Sequence, residues 1–232
     1  MRVMTFNILS GRGYPNIQDL NLDYCGNVIG KYNPDIVGLN EVHNGGIYGN
    51  QVEILAKKLG YDYCYFAEAI ELDTPYGNAF MSKFPITEAT TVVIPDPLVK
   101  DEDTYYETRC ILNAKIDYNG GINVYVTHMG LAKSEKINAI TTLCDLMGEK
   151  PSKSILMGDF NMHPDNELMV QISNGLVDTA FAADGECFTY ISDNPTEKID
   201  YVFVSDDIVV KNTIVAPEVA SDHRAYMCDI QF

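Results

Sequence analysis

The chain has 232 residues, 46% apolar and 21% charged, which excludes disorder, collagen and coiled coil. Lys and Arg number 16 against 33 Asp and Glu, so the net charge is −17 and the basic footprint of a non-specific nucleic-acid or anionic-membrane binder is missing. No apolar run approaches the ~18 residues of a transmembrane helix.

Short strands dominate the predicted elements. Arg2–Ile8 opens the chain as a strand, without the charged and apolar regions of a secretory signal. Helical spacing follows at Leu22, Cys25, Val28, Ile29 and Tyr32, then a solidly apolar strand at Ile36–Glu41 and a second helical face at Val52, Leu55, Ala56 and Leu59. Strands are predicted at Tyr61–Ala67, Asn78–Ser82, Ile86–Ile94, Glu107–Tyr118 and Ile122–His128. A third helix carries Ile137, Ile140, Leu143, Cys144 and Met147, with Ser134 as its expected N-cap. Strand Ser154–Asp159, a short helix through Leu168, Met169 and Ile172, and strands Lys198–Val204, Val209–Val215 and Ala225–Ile230 complete the chain. Irregular stretches are expected at Ser10–Asp19, His43–Asn50, Ala69–Tyr76, Pro95–Tyr105 and Ala182–Thr196, all rich in turn residues. The six cysteines are scattered with no CxxC pair, and are read as reduced, mostly core thiols of a cytoplasmic protein rather than as a disulfide framework.

Polar residues stand where apolar strands stop. Asn7, Glu41, His128, Asp159 and Asn161 each follow such a run, Asp200 sits inside one, and Asp222-His223 precede the last. Each alone has an ordinary explanation: a turn, a cap, a solvated strand end, a hydrogen-bonded core histidine. Together they form a set of buried or half-buried groups that need partners, and such groups can converge on one rim of a sheet. Carboxylate and amide oxygens suit Mg²⁺ or Mn²⁺, and a hard cation beside two histidines and an asparagine is a phosphoryl-transfer arrangement.

Seven blocks in order carry a resemblance: Thr5-Phe6-Asn7-Ile8, Leu39-Asn40-Glu41-Val42, Gly77 to Ile86, Thr127 to Leu131, Gly158-Asp159-Phe160-Asn161, Lys198 to Phe203 and Ser221 to Ala225. The chain resembles the endonuclease/exonuclease/phosphatase superfamily over essentially its whole length. The resemblance implies an α/β fold, a DNase I-like four-layer α/β/β/α sandwich, as one domain over 1–232. It also implies Mg²⁺-dependent cleavage of a phosphate ester by water, with Mn²⁺ able to substitute. On this basis Glu41 is the principal metal ligand with Asn7 beside it. Asp159 orients or deprotonates the water, or takes a second metal, and Asn161 hydrogen-bonds phosphoryl oxygens. His223 contacts phosphate or acts as base, held by Asp222. His128 stabilises phosphoryl charge, and Asp200 supports His128 or the metal shell. Whether Asp159 or the Asp222–His223 pair is the base stays open. Arg109, on a segment where many members place a substrate-facing arginine, is expected to face phosphate, against an ordinary ion pair with a neighbouring acid.

Substrate class is weaker. Asn40 and Val42 flank Glu41 where abasic-site endonucleases usually carry Gln and Thr, and the chain has no Trp. Pro95–Tyr106, with Asp96, Asp101, Glu102 and Asp103, reads either as a loop near the site, where it would repel a polyanion, or equally as a solvated loop away from the pocket. The expected substrate is a small or lipid-like phosphate ester, diester favoured. A nuclease is the alternative, and a non-catalytic binding module a third reading that the intact set of polar positions opposes.

Overall fold

The computed structural model describes residues 1–173 and 175–232. Two mixed sheets pack face to face. The first has the order β12 (Val209–Val215), β13 (Tyr226–Gln231), β1 (Arg2–Asn7), β2 (Ile36–Gly45), β5 (Pro75–Ser82), β4 (Tyr63–Glu71), with the two-residue β3 (Gly49–Asn50) on the end of β2. The second has the order β10 (Leu176–Asp178), β11 (Asp200–Ser205), β9 (Ser154–Asp159), β8 (Ile122–His128), β7 (Cys110–Ile116), β6 (Ile86–Val93).

Alternation along the strands builds three apolar layers. Val3, Ile36, Phe80, Val124, Val126, Met157 and Val202 face inward between the sheets. Met4, Phe6, Val37 and Leu39 face outward onto α1 (Asp23–Tyr32) and α2 (Gln51–Leu59), through Cys25, Val28, Ile29, Val52 and Leu55. Tyr125, Leu156, Tyr201 and Phe203 face the other way onto α3 (Lys133–Met147) and α4 (Met169–Ile172), through Ala139, Ile140, Leu143 and Ile172. The layers are therefore α/β/β/α, as the resemblance implied. Gly38 faces the other sheet, where a Cβ would lie 2.7 Å from Met157 Sδ and force that side chain to shift.

Element boundaries differ from the predicted ones where side chains leave the ladder. β2 runs on to Gly45, into a stretch expected to be irregular, and β4 and β5 extend to a tight hairpin at Glu71 and Pro75. β7 begins only at Cys110, although Arg109 O still accepts from Ile94 N at 2.8 Å. β10 and the 3₁₀ turn Thr179–Ala182 were not predicted. Ser134 does not cap α3. Ala132 stands at that position, and the Glu102 carboxylate caps the helix from the loop between β6 and β7, accepting from Lys133 N at 2.7 Å and Ser134 N at 2.9 Å. Ile137 and Cys144 are exposed rather than on the packed face, which Ala139, Ile140 and Leu143 supply. All six cysteines are free thiols, four of them buried. No helix among the described residues is long and apolar enough to cross a membrane.

Candidate active site

The only parallel pairings among the described strands are β1 with β2 and β8 with β9, and their C-terminal ends meet at one rim of the sandwich. The register sets Asn7 against Asn40 and His128 against Asp159, and the antiparallel β9–β11 pair adds Asp200 opposite Asp159. Register slips between Leu39 and Val42 on β2, and Glu41 there has φ of 57°. A bulge of this kind re-aims a side chain, here turning the Glu41 carboxylate into the cavity. Gly158, at φ 145°, lets β9 press on Thr127, whose carbonyl oxygen would lie 1.8 Å from a Cβ.

A cavity of about 410 Å³ opens on this rim. Its lining carries the carboxylates of Glu41, Asp159, Asp222 and Glu197, the Arg109 guanidinium, the His128 and His223 rings and Asn161. Asn7, buried beneath, donates Nδ2 to Glu41 Oε1 at 3.0 Å and to Asp159 Oδ2 at 3.2 Å. Asp159 Oδ1 accepts from Asn161 N at 2.9 Å, and Asn161 Nδ2 donates to Met129 O at 2.8 Å, which leaves the Asn161 carbonyl oxygen free of side-chain partners.

The two histidines are held in opposite charge states. His223 Nδ1 lies 2.8 Å from Asp200 Oδ2, and its Nε2 lies 3.6 Å from Asp159 Oδ2. Burial alone would push its pKa down, but the Asp200 and Asp159 carboxylates outweigh it and raise it to about 10, so His223 is an imidazolium at neutral pH. His128 Nδ1 lies 2.8 Å from Arg109 Nη1. A guanidinium only donates, so His128 Nδ1 must accept, and its proton sits on Nε2, 3.5 Å from Asp159 Oδ2. Burial, then Arg109, then His223 hold the His128 pKa well below its usual range, so this ring is neutral. Both rings therefore present Nε2–H to the cavity. Burial raises the Asp159 pKa, against the pull of His223.

Two expected pairings are corrected. Asp222 does not hold His223: its Oδ1 accepts from Ser221 Oγ at 3.0 Å, and Asp200 holds the ring. Asp200 does not support His128, whose Nδ1 is taken by Arg109; β11 places Asp200 under His223 instead. Arg109 lines the cavity, and its Nη1 makes the ion pair with the neighbouring acid Glu107 at 2.8 Å that stood as the alternative to a phosphate contact. In the acidic loop, Glu102 is occupied with capping α3 and Glu107 N donates to the buried Glu135 carboxylate at 3.0 Å. The remaining sequence candidates, Asn7, Glu41, His128, Asp159, Asn161 and His223, are brought together as one constellation.

Two residues inside the quoted blocks had no role from sequence. Asn40 donates Nδ2 to Asn78 Oδ1 at 2.8 Å and to Thr127 O at 2.9 Å, and accepts from Asp159 N at 3.0 Å; Asn78 Nδ2 donates to Cys110 O at 2.9 Å. These buried amides clamp one sheet to the other directly beneath Asp159. The available signal was an amide within an apolar strand. Tyr190, His163 and Glu197, which also line the cavity, lie on loops and carried no such signal.

The donor chemistry fits a hard divalent cation. Burial pushes the Glu41 pKa up, and the nearby Asp222 charge pushes it further. Carboxylate oxygens crowded this way are relieved by a cation that prefers oxygen ligands. Glu41, Asp159 and Asp222, with the Asn161 carbonyl, could supply such ligands. The tightest cluster, Asp159, Asp200 and His223, is less suited, because the His223 imidazolium already bridges it.

No curated protein sequence matches the chain. Among solved structures it is similar to an endonuclease/exonuclease/phosphatase from Beutenbergia cavernae DSM 12333, with TM-score 0.81 and 23% identity over 100% of this chain and 71% of that one. It is similar to a mannosyl-6-phosphatase of Bacteroides thetaiotaomicron VPI-5482, with TM-score 0.76 and 18% identity over 100% of each chain. The human Nocturnin catalytic domain, solved with a bound sulfate anion, gives TM-score 0.71 and 21% identity over 100% of this chain and 93% of that one. At such identities the likeness shows the fold. The model described as Endonuclease/Exonuclease/phosphatase family matches residues 4–223, nearly the full length, and the chain belongs to that family of hydrolytic phosphoesterases.

Proposed function

We propose that the protein is a Mg²⁺-dependent phosphoesterase that cleaves a small or lipid-like phosphate ester, diester favoured over monoester. The observation that carries this reading is the mixed lining of one cavity: carboxylates beside two Nε2–H donors and a guanidinium. Glu41, with Asp159 and Asp222, would hold the metal, which supplies Lewis-acid polarisation of the phosphoryl group when bound. Asp159, its pKa raised by burial, accepts the proton that the attacking water loses as its oxygen bonds to phosphorus. The P–O bond to the alcohol breaks, and solvent protonates the departing oxygen. His128 and His223 donate Nε2–H to phosphoryl oxygens whose charge grows in the transition state. Leu131, Tyr190 and Ile199 offer the alcohol an apolar side of the cavity.

The test is hydrolysis of bis-p-nitrophenyl phosphate, p-nitrophenyl phosphate, p-nitrophenylphosphocholine and plasmid DNA, each with Mg²⁺, Mn²⁺ or EDTA. Glu41→Ala protein is the blank. Metal-dependent cleavage of a small ester, absent from the blank, is expected. Plasmid nicking that Glu41→Ala abolishes would replace this reading with a nuclease.

A further inference from the structure

Eight of the lysines and arginines are buried or half-buried. Seven have partners. Arg2, Lys83, Arg109 and Lys198 pair with carboxylates. Arg12, Lys153 and Arg224 donate to backbone carbonyls. Lys136, half-buried on the second turn of α3, is the exception among the described residues: its Nζ has neither a carboxylate within 4.0 Å nor a hydrogen bond. In a chain of net charge −17, a partly desolvated ammonium with no direct ion pair is anomalous.

Its surroundings explain what it lacks. Lys136 lines a second cavity, of about 380 Å³, that shares the wall residue Leu131 with the catalytic cavity. The acids of that second cavity are already engaged. Glu102 caps the helix, and Glu167 pairs with Lys133 Nζ at 2.5 Å. Burial pushes the Lys136 pKa down, and the charges of Asp159, Glu102 and Glu135 pull it back up. Leu131 is the residue that the two cavity linings have in common.

We propose that Lys136 and the cavity it lines form an anion subsite that takes a second phosphate carried by the substrate, beyond Leu131 from the scissile one. The inference rests on the phosphoesterase reading and narrows it to esters with two separated anionic groups. Selectivity arises because a substrate with one phosphate leaves the ammonium unpartnered, whereas a second phosphate of the right reach supplies a charge-assisted hydrogen bond.

Calorimetric titration of the full chain with Mg²⁺ tests this. The ligands are propylphosphonate and α,ω-alkane diphosphonates of three to six carbons, whose C–P bonds are not hydrolysed. A diphosphonate of matching length should bind roughly tenfold tighter than propylphosphonate, the scale of one charge-assisted hydrogen bond. Lys136→Met should bring that ratio close to one, and Lys136→Arg should retain most of it. No diphosphonate preference at any length, or binding of neither ligand type, overturns the proposal. So does a preference that persists in Lys136→Met, which would belong to the metal. The ratio needs no turnover, so a protein that hydrolyses none of the test esters would fail the phosphoesterase reading while leaving the subsite measurable.

Discussion

Asp200 Oδ2 stands 2.8 Å from His223 Nδ1, while Asp200 Oδ1, equally buried, has no hydrogen-bond partner. The carboxylate therefore hydrogen-bonds a single side chain, and it keeps the His223 ring protonated and aimed. Asp200→Asn should lower turnover by about 10²- to 10⁴-fold, as loss of a ring-orienting carboxylate does. Its signature is the His223 pKa, read by NMR of the metal-free protein, which should fall from about 10. Asp222→Asn should move that pKa less, because Asp222 makes no hydrogen bond to the ring; an equal or larger shift would return the orienting role to Asp222.

The charge on His223 also links stability to pH. Its folded pKa of about 10 exceeds the ordinary 6.5, so its stabilisation is whole below about pH 6.5 and is lost as pH rises toward 10. In EDTA, the stability advantage of the wild type over His223→Gln should shrink steadily between pH 7 and 10, about the window those two values bound. A pH-independent difference in urea midpoints would contradict the imidazolium assignment.

Arg109 dictates which nitrogen of His128 carries the proton. Arg109→Met removes the donor at Nδ1 and a positive charge beside a buried ring. The ¹⁵N spectrum of His128 should change from a single Nε2–H tautomer to a mixture, its pKa should rise, and turnover should fall about tenfold or more. An unchanged tautomer would show that other contacts hold the ring.

The inter-sheet clamp makes a purely structural prediction. Asn40→Ala strands the Asn78 carbonyl, the Thr127 carbonyl and the Asp159 N–H in a dry interior. The loss should be about 2–4 kcal/mol in urea unfolding, with a larger drop in kcat than in KM as Asp159 shifts. A change below about 0.5 kcal/mol would mean the network is replaced by water.

Glu41 carries the opposite signature. Burial raises its pKa, so the folded metal-free protein holds the carboxylate at a penalty above the unfolded carboxyl value. Glu41→Gln should melt at the same temperature as the wild type in EDTA, or higher, while losing Mg²⁺-dependent turnover and Mg²⁺-induced stabilisation. A variant that Mg²⁺ still stabilises as strongly would remove Glu41 as the principal ligand.

Much of this was readable in the chain. Apolar runs ending in Asn7, Glu41, His128 and Asp159 announced strands whose polar ends needed partners, because a buried carboxylate or imidazole left alone is too costly to keep. Periodicity located α1, α2 and most of the ladder for the same reason: burial on one face repeats with the geometry of the element. What the tertiary structure alone decided was pairing. Asp200 rather than Asp222 meets His223 because β11 runs antiparallel beside β9, 41 residues on in sequence from Asp159 and set opposite it by register. Glu102 rather than Ser134 caps α3, and Arg109 rather than Asp200 meets His128 Nδ1, because loops return by paths that local residue patterns do not encode. Residue type and spacing establish which groups must find partners; only the packing of the two sheets brings a particular donor within 3 Å of a particular acceptor, since hydrogen bonds act over that range and no further.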